Sequence, residues 1–281
     1  MSRLIKLNPF ENVVAGSTAL LPRIQMGQTF EMILLKLGGT FTKAQINNIR
    51  IRLGGKLIWD VTGSDLDKIN QYMGHAENAA YLPIWFAEPT AQTHKGQLTG
   101  AIDTSIPYSG FAIECDIDSG ATNPTLEAWA QVSAPKPVSE MEPESKVRKL
   151  LFRSLIKSTH QAGGAGTYNL NIAKGSDGGT LLKRVFIYHD YVTQFSVKKN
   201  GLDLQDRGEN GVVQFLQNEL NRETQSDQLV YDPVLSDLQG DAVGTLRSNG
   251  QPANFEFNAT TSAADNDIVT YADIYATIGQ V

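Results

Sequence analysis

The feature that most constrains this chain is a repeat at half-length spacing. The run Ile51-Arg52-Leu53-Gly54-Gly55-Lys56-Leu57-Ile58-Trp59-Asp60, a polar turn and Asp65-Leu66-Asp67-Lys68-Ile69-Asn70 reads as strand, two-residue turn, strand, turn and short helix. The same order returns about 146 positions later, in Val197-Lys198-Lys199-Asn200-Gly201-Leu202-Asp203-Leu204-Gln205-Asp206 and then Val212 to Asn218. Gly54-Gly55 and Asn200-Gly201 are residue pairs that tolerate the positive φ angles of tight hairpins. Three further blocks recur in the same order. Tyr81 to Phe86 matches Tyr231 to Leu235 at offset 150, Ile113 to Asp116 matches Phe255 to Asn258 at offset 142, and Asn123 to Ala130 matches Asn266 to Ala272 at 142 to 143. Drifting offsets fit an old duplication with loop insertions. Two copies are too few for a solenoid, so two similar domains packed together are expected.

The 281 residues accommodate about two domains. Strand signals dominate. Thr29 to Leu34, Asn48 to Leu53, Phe111 to Asp118 and Phe255 to Asn258 mostly alternate apolar and polar, the period of a half-buried antiparallel strand. The 25 glycines and 11 prolines fall mainly between such runs. Many short strands with frequent turns predict sandwiches or barrels. Helical signals are few: Asp65 to Tyr72, with Ser64 as its expected cap, and Val212 to Leu220 as its counterpart. Lys146 to Ile156 fits either a helix or a strand leading into the second half. Between the halves, Ala134 to Glu144 holds three prolines and little apolar content, and reads as an extended connector. The expected division is 1–134, a linker 135–145, and 146–281.

Composition excludes several classes of function. No apolar run approaches the roughly 20 residues of a membrane-spanning helix. The start, Met1-Ser2-Arg3-Leu4-Ile5-Lys6, does not read as a secretory leader, so a soluble chain made in a cytoplasm is expected. A net charge of −6 is no profile for sequence-specific nucleic-acid binding. Cys115 is the sole cysteine; it lies on the same strand face as Phe111 and Ile113 and reads as a core thiol.

Catalytic signatures are missing. His75, His94, His160 and His189 form no metal-binding pair, and no G-x-S-x-G elbow supports a triad. Gln161 to Thr167 is glycine-rich but leads into an alternating segment, not the helix a phosphate loop requires. Acidic residues cluster at Asp116 and Asp118, at Asp203, Asp206 and Glu209, at Asp237 and Asp241, and at Asp265-Asn266-Asp267. Solvated turns are the ordinary reading. Oxygen-rich loops also suit Ca²⁺, for which Asp265, Asn266 and Asp267 are the best candidates. Lys146, Arg148, Lys149, Arg153 and Lys157 form the strongest basic bias; a solvated surface outweighs a lipid or nucleic-acid face there.

Leu21 to Ile33 and Gln45 to Leu57 resemble the first strands of the corticovirus-type major capsid protein family. Glu114 to Asp118, followed by Leu126 to Gln131, resembles the end of its first jelly roll, and Asn12 to Gly16 also fits. The second half matches through its strand, hairpin and helix order around Asn200-Gly201. The resemblance implies an all-β fold of two tandem eight-stranded jelly rolls with a few short helices. It further implies homotrimeric, pseudo-hexagonal capsomers. These would build an icosahedral shell over an internal membrane in tailless bacteriophages, beside penton, minor capsid and membrane proteins. Calcium binding within that family would favour an ion site here. No enzyme activity is expected. The rival reading is a carbohydrate-binding or glycan-active jelly-roll protein, motivated by Trp59, Trp85 and Trp129. All three lie in apparent strands, where core packing is the default. The loop from Thr90 to Ser105 is expected to be an outer decoration.

Overall fold

A computed structural model describes residues 2–22, 24–136, 150–175, 179–263 and 267–281. The first half contains β1 (Arg3–Lys6), β2 (Thr18–Leu21), β3 (Thr29–Gly38), β4 (Ile46–Leu53), β5 (Lys56–Val61), α1 (Gly63–Tyr72), β6 (Tyr81–Trp85), α2 (His94–Leu98), β7 (Ile102–Asp103), β8 (Phe111–Ile117) and β9 (Thr125–Ser133). The second contains β10 (Phe152–His160), β11 (Gly166–Asn169), β12 (Leu181–Tyr188), β13 (Val192–Lys199), β14 (Leu202–Glu209), α3 (Asn210–Glu219), β15 (Gln228–Tyr231), β16 (Val243–Gly244), β17 (Phe255–Thr261) and β18 (Ile268–Ala276).

Each half is a two-sheet sandwich, and the strand pairings of one repeat in the other. In the first half one sheet runs β1-β9-β3-β6, with β7 also on β3, and the other runs β2-β8-β4-β5. In the second half the orders are β10-β18-β12-β15, with β16 on β12, and β11-β17-β13-β14. The correspondence reaches single residues. β3 carries a bulge between Phe30 and Met32 opposite β9, and β12 carries one between Leu182 and Arg184 opposite β18. The two hairpin turns match in conformation, with φ of 58° and 80° at Gly54 and Gly55 and 53° and 80° at Asn200 and Gly201. Asn70 of α1 donates to the Pro83 carbonyl at 2.8 Å, and Gln217 of α3 donates to the Val230 carbonyl at 2.7 Å.

These bonds correct two of the sequence offsets. They place Pro83 opposite Val230, not opposite Pro233, so the Tyr-x-Pro likeness had slipped by three residues. The pairings Ile51↔Ile113 and Val197↔Phe257 likewise move the β8 and β17 match by two residues. A two-residue slip keeps the same sheet face, so the alternation alone could not detect it. The offset between β9 and β18 holds, because Trp129 and Tyr271 occupy equivalent rungs.

Local chemistry accounts for the elements. β8 alternates buried and half-buried positions along its whole length, with Phe111, Ile113, Cys115 and Ile117 turned inward. Burial pushes the Cys115 thiol up to about 12, with Asp116 adding to it, so the core assignment of this cysteine holds. Thr62, and not Ser64, caps α1: its side chain accepts from the Asp65 amide at 3.0 Å. From Phe152 onward the Lys146 to Ile156 segment is strand; residues 137–149, which hold most of the proline-rich connector and Lys146, Arg148 and Lys149, lie outside the described residues. No helix among the described residues is long and apolar enough to cross a membrane.

Candidate functional site: the junction between the two sandwiches

The halves meet head to tail. β5, at the edge of a first-half sheet, pairs in parallel with β10, at the edge of a second-half sheet, with Leu155 opposite Trp59. The result is one nine-stranded sheet crossing the molecule, β15-β12-β18-β10-β5-β4-β8-β2 with β16 beside β12. Trp59 donates through Nε1 to the Arg153 carbonyl at 3.0 Å, and Ser154 Oγ donates to the Ile58 carbonyl at 2.6 Å. The first core continues across this seam: Phe152, Leu155, Phe186, Tyr188, Val230 and Tyr271 belong to the same apolar cluster as Trp59, Leu66 and Ile69.

α1 lies against the second half. Tyr72 meets Phe186 edge-on at 5.7 Å, and its hydroxyl donates to Asp232 at 3.1 Å. Tyr271 donates to the Asp65 carboxylate at 2.6 Å and Tyr188 to the Asp65 carbonyl at 3.2 Å. Lys68 pairs with Asp227 and stands 5.7 Å from the centre of the Tyr188 ring.

Beside α1 sits a buried ionic cluster. Arg153 binds Asp273 through two contacts, at 2.8 and 2.9 Å, and donates to the Trp85 carbonyl at 2.8 Å. Lys183 pairs with Glu88 of the first half, and Arg184 reaches Glu88 and Asp232 at 3.0 Å each. Arg222 donates to Asp237 at 2.7 Å. Four cations therefore face four carboxylates. Burial alone would raise Glu88, but Arg184 and Lys183 outweigh it and hold that carboxyl well below its ordinary value. Asp273 is held low in the same way, by Arg153 and Lys183 against its burial. Burial pulls Lys183 down to about 8 although Asp273 and Glu88 oppose the shift. His75 stacks on Trp85 at 5.0 Å, and burial, reinforced by Arg153, pushes it down to about 4.

This arrangement holds two bodies together. It also revises several sequence expectations. Arg153 is not part of an outward basic stripe; its side chain is 4% exposed inside the cluster. The loop from Thr90 to Ser105 is not a decoration: Ala91, Ala101, Ile102, Asp103 and Thr104 are buried, and Gln92 donates to the Ser236 carbonyl across the seam at 2.8 Å. Of the three tryptophans Trp59 is core, Trp85 is half-buried under His75, and Trp129 is half-buried, with Lys6 and Lys36 over its ring.

The acidic clusters resolve into pairs and turns. Asp116 pairs with Arg50 at 2.7 Å, Asp118 accepts from the Gly120 amide at 2.7 Å, Asp203 pairs with Lys198 at 3.1 Å, and Asp241 accepts from Ser236 at 2.8 Å. Asp265 and Asn266 of the calcium candidate lie outside the described residues, and Asp267 is exposed just ahead of β18. Among the described residues, no three His, Cys, Asp or Glu side chains converge as metal ligands do. Glu88, Lys183, Arg184, Asp232, Arg222 and Asp273 were not singled out from sequence. The signal was charge inside apolar strands: Lys183-Arg184 interrupts Leu181 to Tyr188, and Asp273 interrupts Ile268 to Ala276. Charges rarely stay buried unless paired.

Comparison with known proteins follows the same two-part division. The family model for the viral coat protein P2 N-terminal domain matches residues 4–133, and that for the viral coat protein P2 C-terminal domain matches residues 152–278. No match emerges among curated protein sequences. The major capsid protein P2 from Bacteriophage PM2 superposes with a TM-score of 0.83 at 19% identity, covering 99% of this chain and 98% of that one. A chain from the structure of Sulfolobus Turreted Icosahedral Virus gives 0.68 at 10% identity, covering 99% and 91%. One from the PBCV-1 virus capsid gives 0.61 at 12%, covering 98% and 93%. With both family models matched in order over the two sandwiches, this chain belongs to the viral coat protein P2 family and has a double jelly-roll fold.

Proposed function

We propose that this coat protein acts as a homotrimer whose six jelly rolls form a pseudo-hexagonal tile. Such tiles would build an icosahedral shell over an internal membrane, in contact with neighbouring capsomers and with penton, minor and membrane proteins of the virion. The chain would be made in the host cytoplasm and carry no catalytic step. The observation that carries the reading is the head-to-tail seam. A β5-to-β10 contact is heterologous, joining two different surfaces, and such contacts generate rings when the rotation closes. The duplicated fold presents one of each surface again at its two ends. Three chains then supply six similar units, and geometry does the work that chemistry does in an enzyme. Native mass spectrometry of the purified chain over a range of concentrations tests this. A three-chain mass is expected, and monomers at every concentration would overturn the trimer.

A further inference from the structure

The outer faces of two corresponding sheets, β2-β8-β4 and β11-β17-β13, can be compared rung by rung. In the first half Thr18 and Asn48 both pair with Asp116, and Arg50 pairs with Glu114. In the second half Thr167 and Gln194 both pair with Thr260, and Ser196 pairs with Asn258. Thr167 therefore stands where Thr18 does, Gln194 where Asn48 does, and Ser196, Asn258 and Thr260 where Arg50, Glu114 and Asp116 do. The first face is closed by its own charges. Arg50 holds Asp116 through two contacts at 2.7 Å and Glu114 at 3.0 Å, and Thr18 donates to Asp116 at 2.6 Å. In the second face the guanidinium and both carboxylates have given way to two hydroxyls and an amide. A cleft of about 400 Å³ opens there, lined by Thr167, Gln194, Ser196, Arg207, Asn258 and Thr260.

Arg207 carries the only charge in that lining, and it comes from an insertion. From Ile49↔Val61 to Ile51↔Trp59, β4 and β5 advance together. From Phe195↔Gly208 to Val197↔Gln205, β14 advances by one residue more than β13. The extra residue makes a β-bulge that the first half lacks at this rung, and bulges re-aim side chains. Arg207 sits in it with a φ of 41°. Every other non-glycine residue at positive φ among the described residues is Asn or Asp, which tolerate that region better than a long side chain does. Strain of this kind concentrates at ligand-binding and catalytic positions. Among the described residues Arg207 makes no ion pair, and the side chains of Gln194 and Ser196 make no hydrogen bond.

The lining selects a ligand class. An uncompensated guanidinium presents a planar fork that fits a carboxylate through two parallel bonds. The five uncharged side chains offer hydroxyls and amides, which donate and accept as a polyol requires. The Thr167 and Thr260 hydroxyls share one hydrogen bond at 3.0 Å, and Asn258 accepts from Asn169 at 3.3 Å, which leaves its own amide hydrogens to donate. No aromatic ring lines the cleft, so a nucleobase finds no stacking platform. A bare carboxylate or phosphate would leave most of the neutral groups unused.

We propose that this face binds an acidic saccharide. Arg207 holds the carboxylate of a hexuronate residue, and Thr167, Gln194, Ser196, Asn258 and Thr260 hydrogen-bond its hydroxyls. All of these residues belong to one chain, so the site needs no second copy.

Isothermal titration calorimetry of the full chain with trigalacturonate at millimolar concentration tests this, beside the methyl ester of the same trisaccharide and inorganic phosphate. Trigalacturonate is expected to bind at least tenfold more tightly than either. Arg207→Gln should weaken that binding at least tenfold. Arg207→Gly should weaken it as much while melting no lower than wild type, because glycine accepts the positive φ. The triple variant Ser196→Arg/Asn258→Glu/Thr260→Asp rebuilds the ion pairs of the first half; it should lose binding with its circular dichroism unchanged. A wild-type chain that gives no heat with trigalacturonate, or an Arg207→Gln chain that binds it as tightly as wild type, overturns the site. Equal binding of the methyl ester or of phosphate overturns the assignment to an acidic saccharide.

Discussion

At the residue scale the seam depends on charges that have left water together. A buried carboxylate or guanidinium is tolerated only when its partner is buried with it. Glu88 and Asp273 titrate below their ordinary values, so their stabilising contribution is complete above the usual carboxylate range and is lost as pH falls through the lowered values. His75 acts earlier in an acid titration and in the same direction. Its imidazole titrates at about 4 in the folded chain, against 6.5 for the free side chain. Between those values the unfolded chain binds the extra proton, so stability falls as pH drops from 6.5 toward 4. The expected loss is on the order of 2 kcal/mol once partial exposure is allowed for. His75→Phe keeps a ring on Trp85 and removes the proton site. It should flatten the melting-temperature profile between pH 6.5 and 4, and an unchanged slope would show that His75 does not govern it.

At the element scale, α1 and α3 began as copies and now differ in what they touch. Gly63 opens α1 because a Cβ there would lie 2.2 Å from the Lys43 carbonyl oxygen. Asn210 opens α3 and already carries a side chain. Gly63→Ala must push α1 off the Lys43–Gln45 turn and away from Phe186 and Asp232. A cost of about 2 kcal/mol, or at least about 3 °C in melting temperature, is expected by differential scanning fluorimetry. Asn210→Ala should change it by less than half as much. Both helices were legible in the sequence to within two residues. The start of α1 was misread because Ser64 and Thr62 are both competent caps, and only backbone geometry selects Thr62. The β6 and β15 alignment was misread for a related reason: a side-chain likeness reports local exposure, whereas equivalence is set by the bonds from Asn70 and Gln217.

At the scale of the molecule the halves are packed as one body: apolar residues of both build the first core and a continuous sheet crosses the seam. Calorimetry is therefore expected to give a single unfolding transition whose van't Hoff and calorimetric enthalpies agree. Two resolved transitions would show that the seam contributes little. The alternation of apolar and polar residues, the Gly54-Gly55 and Asn200-Gly201 turns and the half-length repeat were enough to specify two similar sandwiches. Those features depend on backbone period and turn dihedrals, which neighbouring residues set. The sequence could not say that Arg153, Lys183, Arg184, Glu88 and Asp273 share one buried cluster, or that Ile58 is covered while Leu204 is open. Such facts depend on contacts between residues up to half a chain apart. Two copies of one surface look alike in sequence, and only the tertiary structure decides which of them is already occupied.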